Sequence, residues 1–381
     1  MSLDSKIMET MKTAMKRSLL KIIFLMVGIM VATIGNAQNK IDFSSVDEFF
    51  KLTNKLETGI EPTNEEWTQL LDTHGYYCAT EANSPLVKKV VRRMMNAAFN
   101  PNYKMLRDSI SSLSNEEIMN NSEFFLSKRV LENYLDMKNH LWELKKFRDS
   151  AIFQTIKSDS KERLKTFLIN PVDSLIKVPS INILCFDADG FSTEDGIILD
   201  LNLMYKLSYA GTVNFLAHEM FHTYRRNFVN QNFTYGLSEF TDQLNHLQDE
   251  GIADLIDKKE NAWESPSMIA GMPKPFLNKY AETYKNTPRI LARLDSITCS
   301  FLDNKITKEQ FADEMKNFFF LSGHPNGYYM SKLIKNAGFE SDLKKTFYNP
   351  VAFIQLYNKV AKKRGEYVFS KKFMDYIEKM Q

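Results

Sequence analysis

The sequence reads as a mainly α (α+β) chain with one small antiparallel sheet. Three patterns point there. Capped, amphipathic segments recur from residue 38 to about 175. Two short runs rich in Ile and Leu, 181–186 and 196–201, flank a turn-rich stretch. Helical periodicity then resumes and continues to the C-terminus.

The helical segments carry their own start signals. Thr63 with Glu66 fits a capping box ahead of Trp67, Leu70 and Leu71, and Gly75 is placed to end that helix. Ser84 reads as an N-cap with Pro85 in the first helical position. Ser114 with Glu117 opens a long helix whose stripe includes Phe124, Val130, Leu131, Leu135 and Leu141. Thr307 with Gln310 forms another box. Between these regions, residues 181–186 and 196–201 read as the two strands of a hairpin joined through the turn-rich segment 187–195.

Three parts follow: 1–37 as a leader, 38–175 as a helical N-terminal region, and 176–381 as the part that carries the chemistry. The leader combines Lys16, Arg17 and Lys21 with a short apolar stretch over 22–34 and the small residues Gly35 and Ala37 before a cut. The apolar stretch falls short of the ~20 residues of a membrane span, so export without a stable membrane anchor is expected. Five of the 49 Lys/Arg and two of the 47 Asp/Glu lie in the leader, which leaves 44 basic against 45 acidic residues. Such a balance offers no electrostatic footprint for nucleic acid. Cys78, Cys185 and Cys299 are far apart and read as small buried apolar residues.

The chemistry concentrates at His218-Glu219-Met220-Phe221-His222. On a helix, residues four apart share a face, so both imidazoles can reach one cation about 2.0–2.1 Å from each nitrogen. Glu219 is rotated off that face by roughly 100° and can sit beside a water that the metal polarises. No Pro or Gly interrupts the apolar positions Val213, Leu216, Ala217, Met220 and Phe221. A third ligand must come from elsewhere, because Arg225 and Val229 occupy the positions that would hold Gly and His in an extended HExxHxxGxxH motif. A second helix, expected from Ser238 to Lys258, carries Glu250 and Asp254 four residues apart. Glu250 can bind the metal while Asp254 holds the free ring nitrogen of a ligand histidine. Asp249 and His246 compete with Glu250 for the third place.

HExxH followed by ExxxD on the next long helix resembles the gluzincins, the thermolysin-like zinc metallopeptidases, over about residues 180 to 340. The stretch around Glu250 also resembles bacterial families described only as zinc-dependent peptidases. The resemblance implies Zn2+ as cofactor, with His218, His222 and Glu250 as ligands, Glu219 as catalytic base and Asp254 behind the ligands. It implies a peptide or protein substrate. It also implies an oxyanion donor from a later helix, for which His324, Tyr328 and Tyr329 qualify, and a strand over 196–201 that pairs with extended substrate. The aminopeptidase GxMEN signature is absent, so a subsite for a free amine has no support. The rival expectations are a binding protein with a structural zinc site and a zinc hydrolase of a non-peptide bond. Edman sequencing of the exported protein is expected to begin at or near Gln38; an intact leader in the membrane fraction would refute the cleavage.

Overall fold

The computed structural model describes residues 41–81, 85–169, 176, 179–228 and 237–380. The leader and the Ser84 cap lie outside these residues. The chain divides into two units, Met1–Asp42 and Phe43–Gln381. Of the first, only the two-residue strand Ile41–Asp42 is described. The elements below are those of the second unit, which is mainly helical with a small sheet.

Its first half is helical throughout: α1 (Ser44–Glu57), α2 (Asn64–Leu71), α3 (His74–Glu81), α4 (Pro85–Phe99), α5 (Lys104–Ser111), α6 (Asn115–Asn120), α7 (Ser122–Asn139), α8 (Leu141–Arg148) and α9 (Ile152–Lys165). The Thr63 and Ser114 capping boxes both form. Two expectations fail locally. The long helix from Ser114 breaks at Asn121, whose extended backbone and side chain bonded to the Phe124 amide start α7 afresh. An Asn that bonds nearby backbone competes with helix continuation in this way. Gly75 does not end α2 but lies inside α3, where a Cβ would come within 2.6 Å of the Ser45 hydroxyl. The core of this half is aromatic, with Phe49 packed 5.7 Å from Phe99 and 5.3 Å from Tyr134 between ring centroids.

Three strands follow: β1 (Ile181–Leu184), β2 (Gly190–Ser192) and β3 (Ile197–Asp200). They are not the expected hairpin. β1 pairs with β3 in parallel and β2 pairs with β3 antiparallel, so β3 lies between them and the sheet is mixed. Both runs read from the sequence are buried at every position, which is the pattern of strands covered on both faces rather than of an alternating hairpin. Parallel neighbours need a connection of about a dozen residues. The segment between Leu184 and Ile197 supplies it, turns at Ala188 with φ 56°, and contributes β2 on the way.

This crossover is clamped from the helical half. The Asp200 carboxylate accepts from the amides of Phe186 (2.6 Å) and Leu203 (2.9 Å) and from the Asn133 side chain (3.1 Å). Tyr76 and Tyr134 both donate to the Cys185 carbonyl. Arg129 donates to the Gly271 carbonyl at 3.0 Å and pairs with Asp189 at 2.8 Å. β2 is thereby held where the next helices begin.

The second half is α10 (Leu201–Lys206), α11 (Tyr209–Arg226), α12 (Ser238–Asp257), α13 (Pro266–Gly271), α14 (Lys274–Lys285), α15 (Thr287–Leu302), α16 (Lys308–Met315), α17 (His324–Asn336), α18 (Glu340–Lys345), α19 (Pro350–Arg364) and α20 (Lys371–Glu378). Among the described residues no helix is long and apolar enough to cross a membrane. α11 is capped by Ser208, which accepts from the Gly211 amide, and packs on α9 and α12. Arg163 of α9 reaches both partners, through Asn214 at 2.7 Å and the Ile256 carbonyl at 2.9 Å. Asp200→Asn is expected to cost about 2–3 kcal/mol, because an amide cannot accept from every donor now facing the buried carboxylate. A lowered urea midpoint with an unchanged m-value would register it; a wild-type midpoint would show that the crossover does not depend on this group.

Candidate metal centre

α11 and α12 bring the motif and its downstream carboxylates together. His218 and His222 lie on one side of α11, with ring centroids 4.8 Å apart. Glu250 of α12 faces them, its Oε2 3.8 Å from His218 Nε2 and 3.4 Å from His222 Nε2. A third imidazole arrives from the start of α17, with His324 Nε2 3.2 Å from the same oxygen. That oxygen is buried and hydrogen-bonds to none of the described residues, although three ring nitrogens surround it. Donors that converge without bonding one another are what a shared cation requires.

Each imidazole is oriented from behind by a carboxylate. Asp257 lies 3.0 Å from His218 Nδ1, Asp249 lies 2.8 Å from His222 Nδ1, and both Asp254 oxygens lie 3.1 Å from His324 Nδ1. A carboxylate on Nδ1 keeps the proton there and leaves the Nε2 lone pair for a metal. The carboxylates are held in turn. Arg225, buried between α11 and α12, bonds Gln248 at 2.7 Å and Asn245 at 3.0 Å and approaches Asp249 at 3.4 Å. Lys258 pairs with Asp257 at 2.7 Å, and the Tyr280 hydroxyl donates to Asp254 at 3.3 Å.

The charges show how the cluster is compensated. Burial disfavours a His222 cation, yet Asp249 and Glu250 outweigh it and push the imidazole up to about 10. Burial likewise opposes protonation of His324, and Glu250 with Asp254 raises it to about 9. Asp249 is half-buried, and His222 and Arg225 hold it well below the usual carboxylate range. Asp257 is buried, and Lys258 and His218 hold it low. Burial pushes Glu219 up to about 7, against the pull of His218 and His222. The cluster is thus rich in acidic groups, whose charge a divalent cation would offset.

Helix α17 reaches the cluster through an unusually close approach. A Cβ on Gly327 would lie 2.2 Å from the Leu247 carbonyl oxygen, and one on Gly251 would lie 2.5 Å from the Gly327 backbone. His324 sits one turn before Gly327, and Glu250 is next to Gly251. The chain enters α17 through Leu321, Ser322 and Gly323, all in the left-handed region with φ of 49°, 45° and 82°. For Leu and Ser this costs on the order of 1–2 kcal/mol each, so the surrounding packing has to hold it.

A cavity of about 310 Å³ opens onto this centre. Gly190, Phe191 and Ser192 of β2 form one side, and His218, Glu219, His222 and Arg226 of α11 form another. Glu250, Lys258 and His324 contribute polar groups, while Phe215, Met268, Met272 and Leu321 contribute apolar ones. His218, Glu219 and His222 place ligand atoms within 4.8 Å of one another.

Most of the residues singled out from the sequence meet here: His218, Glu219, His222, Glu250, Asp254 and His324. Three expectations change. Tyr328 is buried and its hydroxyl donates to the Lys259 carbonyl at 2.5 Å, so it is not directed at the cavity. The other tyrosine, Tyr329, donates to Glu366 at 2.7 Å. Asp254 holds His324 most closely, and the closest partner of His218 is Asp257. The strand beside the cavity is the edge strand β2, not β3, which is central and buried. Of the rival ligands, Asp249 backs His222, while His246 lines the cavity one turn before Glu250. Asp257 was legible as the next step of a periodicity, since Glu250, Asp254 and Asp257 follow at helical spacings of four and three. Arg225 carried no such signal.

An HExxH helix facing an acidic helix around a buried, unbonded carboxylate oxygen is a donor set that can hold a metal ion. The family model described as "Putative zinc dependent peptidase (DUF5700)" matches residues 67–366, and the chain belongs to that family. The match begins far upstream of the motif and takes in most of the helical half. No curated protein and no solved structure matches the chain.

Zinc suits the donor set found here, because imidazole nitrogens and a carboxylate oxygen are its usual ligands and each ring is already oriented. Chelated protein is expected to gain thermal stability on zinc addition, by about 2.7 kcal/mol at a hundredfold excess over Kd. Asp249→Asn should weaken zinc binding by ~10–100-fold and shrink that gain at fixed zinc. Competition against a chromogenic chelator measures the affinity and thermal unfolding measures the gain; an unchanged affinity would show that Asp249 does not orient His222.

Proposed function

We propose that the protein is an exported zinc-dependent peptidase of the gluzincin type, in which His218, His222 and Glu250 hold the metal and Glu219 is the general base. The observation that carries this reading is the place of Glu219. Its carboxylate lies near both motif imidazoles and lines the cavity. When bound, zinc polarises a scissile carbonyl and makes a neighbouring water more acidic. Glu219 takes the proton of the attacking water on its carboxylate and returns it to the departing amine. Burial, which favours the neutral carboxyl, supports the second half of that exchange.

A peptide suits the surroundings. β2 is an edge strand on the cavity side, and an extended peptide can add to such an edge through main-chain hydrogen bonds. Phe191, Phe215, Met268 and Met272 supply apolar contact for a substrate side chain. Export rests on the basic and apolar pattern of residues 1–37. A structural zinc site without catalysis is the second reading, favoured by the number of protein donors around Glu250 Oε2.

One pair of variants separates the two. Glu219→Gln is expected to lower cleavage of a generic protein substrate by at least ~10²–10⁴-fold while zinc stays near one per chain. Glu250→Gln should lose zinc and activity together. Metal content by atomic absorption, read beside casein cleavage, decides the matter. Full activity in Glu219→Gln, or zinc loss equal to that of Glu250→Gln, would overturn the assignment.

A further inference from the structure

The sequence offers His324 as a donor to a reacting oxyanion. The geometry points to a different role, and we propose that His324 is itself a ligand of the metal in the substrate-free protein, beside His218, His222 and Glu250. This rests on the zinc reading of the site.

Three observations carry it. The first is distance. Tetrahedral ligands about 2.0–2.1 Å from a zinc ion stand roughly 3.3 Å from one another. His324 Nε2 is 3.2 Å from Glu250 Oε2, nearer than His222 at 3.4 Å or His218 at 3.8 Å. The second is orientation. His324 is held as the two motif histidines are, with Nδ1 on a carboxylate and Nε2 turned inward. Its ring lies nearly parallel to that of His218, with centroids 6.0 Å apart. The third is construction. The Gly251–Gly327 contact and the left-handed run from Leu321 to Gly323 bring the first residue of α17 to Glu250. A group that meets only a substrate oxygen needs no such approach to a buried carboxylate. A fourth protein ligand fills a tetrahedral ion, and the peptidase reading then requires the ion to expand to five ligands when water enters.

The test uses the mature chain freed of metal by chelation. Zn2+ affinity is measured by competition, and the visible d–d spectrum is recorded after loading with Co2+. His324→Ala is expected to raise the zinc Kd by at least ~100-fold, the upper end of what losing an orienting carboxylate costs. Its Co2+ spectrum should change in band position and intensity, and His324→Asp, which restores a ligand atom, should recover part of the affinity. His324→Phe, which keeps the ring volume, replaces His324→Ala if thermal unfolding shows the metal-free alanine variant to be unfolded. A wild-type Kd and Co2+ spectrum in His324→Ala would overturn the proposal. So would a weakened Kd with an unchanged spectrum, which would mark His324 as acting only through its neighbours. His218→Ala is the parallel control. If it loses zinc while His324→Ala does not, the proposal fails and the peptidase reading stands. If the wild-type chain binds no zinc, both fail.

Discussion

Where α12 and α17 cross, Gly251 and Gly327 leave no room for a side chain on either helix. The contact sets the distance between two backbones, and the site follows from that distance. Glu250 is adjacent to one glycine and His324 lies one turn before the other, so the carboxylate and the third imidazole meet. A methyl group at either position would push the helices apart by more than the tolerance of a metal–ligand bond, which is a few tenths of an ångström. The left-handed entry to α17 belongs to the same arrangement. Two non-glycine residues adopt a costly backbone there because the crossing leaves the helix one place to begin.

The second constraint is electrostatic. Glu219, Asp249, Glu250, Asp254 and Asp257 crowd around three imidazoles in a mostly buried volume. Carboxylates that leave water need nearby positive charge. Arg225 and Lys258 supply part of it from the flanks. The remainder falls to the imidazoles, and Asp249, Glu250 and Asp254 accordingly raise His222 and His324 above the usual imidazole range. An arrangement of this kind favours a divalent cation and also fixes how each ring faces it.

The helical first half acts on the site at a distance. Asn133, Tyr76 and Tyr134 bind the backbone of the crossover that carries β2, Arg129 pairs with its Asp189 side chain, and Arg163 ties α9 to both metal-centre helices. The edge strand beside the cavity is thus positioned by side chains that lie far upstream in sequence. This agrees with a family match that begins at residue 67 and not at the motif.

The sequence alone determined what depends on neighbours along the chain. The capping boxes at Thr63, Ser114 and Thr307 form as read, because a capping box closes within four residues. His218 and His222 share a face, and α12 spans almost the expected residues, because helical spacing is local. The tertiary structure decided the rest. The parallel pairing of β1 and β3 depends on burial of both faces by helices distant in sequence, so the two runs alone read as a hairpin. Which aspartate meets which histidine depends on how α11, α12 and α17 are rotated against one another. Asp254 therefore went to His324 and Asp257 to His218. Tyr328 and His324 share a helix start, yet only the histidine faces Glu250, because the tyrosine hydroxyl found the Lys259 carbonyl first. Spacing along a helix states which residues share a side; only packing states what that side meets.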